Sequence, residues 1–152
     1  MRTLGVLACL ALTLALPACS KPDTPGARAA HERHEKFEAL GKNSKAIGDE
    51  LKKSAPDLAQ IRTHAAAINA LAPQVKTWFP AGSGPEDGVK THALATVWQQ
   101  PAEFDAAARR LVDAAASLQT AAQGTDLAAV RGAMPPLGAA CKGCHERFRE
   151  KD

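Results

Sequence analysis

The sequence predicts an all-α fold, an antiparallel four-helix bundle. Four stretches repeat apolar residues at alternating intervals of three and four, and no stretch alternates apolar with polar residues as a strand would. Proline or glycine punctuates the gaps between the stretches. A chain of 152 residues suits one domain with one core, and consecutive helical stripes joined by short breaks bury their apolar faces best as a bundle.

Residues 1–18 have the layout of an export signal. Arg2 stands in a short leading region, an apolar stretch runs from Leu4 to Leu16, and small residues precede Cys19. The apolar stretch is shorter than the roughly 20 residues of a membrane-spanning helix. Leu16-Pro17-Ala18-Cys19 resembles the lipobox of bacterial lipoproteins, in which the cysteine becomes the acylated first residue; ordinary cleavage near Ala18 is the alternative. Residues 19–29, with two prolines and a glycine, read as a flexible tether, and residues 30–152 as the bundle.

The first helical stripe holds Phe37, Leu40, Ser44, Ile47 and Leu51 and should end near Ser54, because Pro56 disfavours helix at the preceding residue. The second, with Pro56 in its first turn, carries Leu58, Ile61, Ala65, Ile68, Ala72 and Val75; Pro73 should kink or shorten its last turn. A connection rich in Gly and Pro follows from Trp78 to about Thr96, with a helical turn near its end. The third helix spans about Pro101 to Gln123, with Phe104, Ala108, Leu111, Ala115, Leu118 and Ala122 on one face and Gly124 as terminator. The last segment, from about Asp126 to Lys151, is broken by Gly132 and Pro135-Pro136, so its final helix should start or restart at the proline pair.

Chemistry concentrates in Cys141-Lys142-Gly143-Cys144-His145. Two thiols one helical turn apart can add to the two vinyl groups on one edge of a haem, and the next residue offers an imidazole to the iron. Lys142 is read as solvated. The pattern therefore predicts one covalently attached haem c, held by Cys141 and Cys144 with His145 as the metal ligand. A thioredoxin-like redox pair would need a βαβ setting, and a structural zinc would need further ligands at close spacing, which His31, His34, His64 and His92 do not supply. Aromatic residues make up 4% of the chain and tyrosine is absent, so a buried macrocycle would also supply bulk that the core lacks. Cys9 lies within the signal; with Cys19 acylated and the pair on haem, no thiol stays free, which suits an oxidising compartment such as the periplasm. The formal net charge of +3 is spread among interspersed residues, and no basic block points to nucleic acid.

The run Cys-Lys-Gly-Cys-His-Glu-Arg-Phe-Arg near the end of a helical chain resembles the class II c-type cytochromes, above all the cytochromes c′. The resemblance continues through Phe79-Pro80-Ala81-Gly82-Ser83, through Ala95-Thr96-Val97-Trp98 with Phe104 beyond, and through Arg33 four residues before Phe37. It implies a haem-bearing four-helix bundle and particular roles for single residues. Methionine-ligated relatives place a Met where this chain has Phe37; an apolar residue there, as in the cytochromes c′, leaves iron five-coordinate and high-spin under a steric gate. The resemblance also implies Arg33 near the haem propionates and Arg149 beside the proximal histidine. Met134 lies on the proximal segment, while His34, one position from Arg33, is a rival sixth ligand if the helix is rotated.

These residues lead us to expect a periplasmic haem protein that is not an enzyme and binds nitric oxide and carbon monoxide, and the resemblance implies sequestration of nitric oxide as its role. The alternative is a one-electron carrier with six-coordinate iron and protein redox partners. Membrane contact is expected only through a lipid at Cys19, and the resemblance implies a possible homodimer through the first two helices.

Overall fold

The computed structural model describes residues 24–151. The signal, Cys9, Cys19 and residues 20–23 of the expected tether lie outside the described residues. Four long helices form the bundle: α1 (Pro25–Glu50), α2 (Leu58–Leu71), α4 (Pro101–Gln123) and α5 (Leu127–Phe148), with a single turn, α3 (Thr96–Gln99), before α4. Among the described residues no helix is long and apolar enough to cross a membrane.

Local chemistry sets the helix starts. Thr24 caps α1, its Oγ1 accepting from the Ala27 N–H at 3.1 Å, and Pro25 occupies the first turn, where its missing N–H costs nothing. The helix thus begins at Pro25, within the 19–29 stretch expected to be a tether. Gly26 permits this, because a Cβ there would stand 1.9 Å from the Gly82 carbonyl oxygen, so only glycine lets the helix start lie against that loop. α1 ends at Glu50, earlier than expected. Pro56 lies outside α2; Asp57 caps that helix instead, its carboxylate accepting from the Ala59 and Gln60 N–H groups. Asp126 does the same for α5.

Two prolines-in-helix expectations resolve differently. After Leu71 the chain tightens into a 3-10 helix, Ala72–Trp78, as Pro73 removes a hydrogen bond. Pro135-Pro136, by contrast, neither starts nor interrupts the final helix: α5 is continuous from Leu127. The prolines and the residues whose carbonyls lose their partners, Arg131 and Gly132, are all exposed, so water can satisfy those carbonyls. Val130 and Leu137, 0% and 2% exposed, hold the inner face of the helix in the core. Packing along the whole length overrides a local penalty of about 3 kcal/mol per proline.

Every residue of the predicted α4 face is buried. It meets Ile61, Ala65 and Ile68 of α2, and alanines at 65, 107, 115 and 122 let the helices approach closely. The long connection is stitched to the end of α5: Leu94 N–H donates to Phe148 O at 2.9 Å and Glu150 N–H to His92 O at 2.8 Å.

Candidate haem site

The helical stripe of α5 carries Leu137, Ala140, Cys141, Cys144 and Phe148 inward, with the two cysteines half-buried against the core. Both are free thiols one turn apart. Burial pushes the Cys144 thiol up to about 11, with Cys141 adding to the effect and Arg110 opposing it; burial also raises Cys141. Both are thus held in the thiol form, unlike the lowered-pKa thiolate of a redox dithiol. No strand pattern surrounds them, and no cluster of three or more metal-binding side chains exists among the described residues. A neutral thiol retains the chemistry that haem attachment needs: sulfur bonds to one vinyl carbon and a hydrogen is delivered to the other. His145, next to Cys144, lies on the exposed side of α5, and its carbonyl accepts the Arg149 N–H at 3.1 Å.

The packing of the bundle leaves a place for such a group. α5 packs along α4, α4 against α2 and α2 against α1, but α1 and α5 share no extensive contact. They are pinned at one end, where Arg131 Nη1 donates to Leu51 O. From that contact, at 1.5 Å per helical residue, Phe37 lies about 21 Å along α1 and the cysteines about 15–20 Å along α5, so they are at one level. Apolar side chains of both helices stay only partly buried: Phe37 and Leu40 on α1, and Ala133, Met134, Cys141 and Cys144 on α5. An apolar slot walled by two thiols at bonding spacing fits a haem.

The wall around Phe37 is aromatic. Its ring packs edge-on to Trp78 (centroids 5.1 Å apart, 85°) and tilts against Phe79 at 6.0 Å; Phe79 touches Trp98 and Phe104, and Phe104 touches Phe148. All six aromatic residues of the chain belong to this one chain of rings. Arg33, 3% exposed, locks it in place. Its Nη1 donates to Trp78 O (3.2 Å) and Ser83 Oγ (3.1 Å), its Nη2 to Ser83 O (3.1 Å) and Thr91 Oγ1 (2.9 Å), and its Cζ lies 4.5 Å from the Phe79 ring centre. All four terminal N–H groups are thus spent on the 78–91 connection, where the sequence reading assigned Arg33 to haem carboxylates. Burial lowers its pKa, yet a guanidinium stays charged.

Neither rival ligand is placed to reach the iron from the side opposite α5. His34 is 61% exposed and paired with Glu38 at 3.3 Å, and Met134 is on α5 itself. Arg149 is the C-cap of α5, with an extended backbone and its N–H still bonded to the His145 carbonyl. Sequence reasoning singled out Ser83 only within a motif and passed over Thr91 and the side chain of Trp78. A buried arginine's need for acceptors is a signal, but which loop supplies them is not written locally.

The chain was compared with known proteins. The family model described as Cytochrome C' matches residues 28–149. A cytochrome c-554 of Cereibacter sphaeroides is 34% identical over the full length of both chains. A cytochrome c' of Pararhodospirillum photometricum is 40% identical over 78% of this chain and 93% of its own. A nitric oxide complex of a cytochrome c prime variant from Alcaligenes xylosoxidans superposes with a TM-score of 0.74 at 25% identity, covering 83% of this chain and 97% of that one. With the attachment motif, the open slot and the bundle in agreement, the chain belongs to the cytochrome c′ family of class II cytochromes and carries one covalently attached haem c.

Proposed function

We propose that the protein is a periplasmic gas-binding haem protein whose iron is five-coordinate and high-spin, and that it sequesters nitric oxide without catalytic turnover. The observation that carries this reading is Phe37: the α1 side chain level with the cysteines is a phenyl ring with no lone pair, held from behind by Trp78 and Phe79. An apolar cover gives bound dioxygen no hydrogen bond, which favours nitric oxide and carbon monoxide. The Alcaligenes xylosoxidans relative, solved with nitric oxide bound, supports the same chemistry. The bound haem supplies the iron; this chain's residues supply its attachment, its proximal ligand His145 and the shape of the opposite face.

Gas entry requires the Phe37 ring to move within a packed aromatic wall, so binding should be slow. Phe37→Ala should accelerate carbon monoxide and nitric oxide association by about tenfold or more, equal to about 1.4 kcal/mol off the entry barrier. Phe37→Met should instead drive the ferrous iron toward low spin by offering a thioether. Stopped-flow mixing and visible spectra measure both. A sharply split low-spin spectrum in the unmutated ferrous protein, unresponsive to carbon monoxide, would replace this reading with the electron carrier and its redox partners.

A lipid on Cys19 belongs to the same proposal, since several acyl chains hold a protein firmly to a membrane. The exported protein is expected in the membrane fraction and its Cys19→Ala variant in the soluble one; native protein found wholly soluble contradicts the anchor. Association into a homodimer through α1 and α2 is also part of this reading.

A further inference from the structure

The indole of Trp78 is 4% exposed, and its Nε1–H is buried with no acceptor in reach. Trp98, the second tryptophan of the chain, donates its own Nε1–H to Pro80 O at 3.2 Å. A buried N–H left without an acceptor costs about 1–3 kcal/mol, a penalty that phenylalanine at position 78 would avoid. The surroundings of this donor are cationic. Lys36 Nζ stands 5.7 Å from the centre of the same ring, and its nearest carboxylate, Glu32, is 4.0 Å from it. Arg33 grips the Trp78 carbonyl, and no carboxylate pairs with that guanidinium among the described residues. Phe37, on the wall of the slot, lies edge-on to the indole.

We propose that the Trp78 Nε1–H receives one carboxylate of the haem, beside the charges of Lys36 and Arg33, with Arg33 serving as a positioning residue. This rests on the haem occupying the slot between α1 and α5, and not on the gas-binding reading. A haem c brings two carboxylates as its strong acceptors, and a desolvated carboxylate needs both a donor and nearby positive charge. The orphan indole supplies the first. The two cations of α1 supply the second without contributing a direct hydrogen bond from the terminal N–H groups of Arg33, all of which are already engaged. The loop clamp then acquires a purpose beyond stability, because the bond from Arg33 to the Trp78 carbonyl fixes the backbone that carries the indole.

Resonance Raman spectroscopy of the purified holoprotein tests this without any gas. In Trp78→Phe, which keeps an aromatic ring, one of the two carboxylate bending bands of the haem should move to lower frequency, while Trp98→Phe should leave both in place. Unmoved bands in Trp78→Phe overturn the proposal. A second measurement does not depend on that variant folding. In Trp98→Phe, where Trp78 is the single tryptophan, the ultraviolet-excited indole band should report a hydrogen-bonded N–H in both the ligand-free and the nitric oxide-exposed protein. A band of a free N–H, or one that becomes hydrogen-bonded only with nitric oxide, overturns it, the latter by assigning the donor to the gas. Failure of nitric oxide to alter the haem spectrum would count against the gas-binding reading alone.

Discussion

Replacing both Cys141 and Cys144 with alanine should remove covalent haem entirely, and each single replacement should reduce its retention. The two half-buried thiols are the only cysteines among the described residues, and each would form one thioether. Haem staining after denaturing electrophoresis reads the outcome directly, since only a covalently held group survives the gel. Stained haem at full intensity in the double variant would refute the attachment. The helix itself should persist: alanine is the best helix former, and both positions are only partly covered by the core. Loss of haem without loss of helicity separates an attachment role from a packing role.

Arg33→Met should weaken the fold by about 2–4 kcal/mol. Methionine keeps most of the side-chain volume but removes four donors at once, stranding the Trp78 and Ser83 carbonyls. Hydrogen bonds from a charged group contribute about 1.5–3 kcal/mol each, so the gross loss is larger. Recovery of the guanidinium's desolvation, which lowers its pKa in the fold, offsets part of it. Arg33→Lys should not rescue stability, because a single ammonium cannot reach acceptors spread over Trp78, Ser83 and Thr91 as a planar fork does. Denaturant unfolding of the holoproteins measures the difference; a loss below about 1 kcal/mol would show that the clamp is dispensable.

The attachment motif, the helical class and the core faces of the α2 and α4 stripes were legible in the sequence, whereas the buried residues of α5, Val130, Leu137, Ala140 and Phe148, were not. Cys141, Cys144 and His145 are neighbours in the chain, so their geometry follows from one helical turn alone. The α4 face from Phe104 to Ala122 could be read in the same way, because a 3.6-residue period is local information; the buried stripe contains every residue of that face and adds Ala107 and Ala114 beside it. Sequence also determined that Phe37 offers no ligand atom, a property of the residue type and not of its surroundings.

Only the tertiary structure decided what depends on distant segments meeting. The continuity of α5 through Pro135-Pro136 came from packing against α4, which outweighs the local cost of the prolines. The outward direction of His34 followed from the rotation of α1 that buries Arg33 and Ile47, although three-residue spacing alone could have placed it near Phe37. The partners of Arg33 lie 45 to 58 residues away along the chain, and neither propensity nor periodicity encodes which carbonyls a buried guanidinium will find. The six aromatic residues are scattered from position 37 to position 148 and become one connected wall only when five elements close around them, because ring contact is a property of packed surfaces and not of spacing.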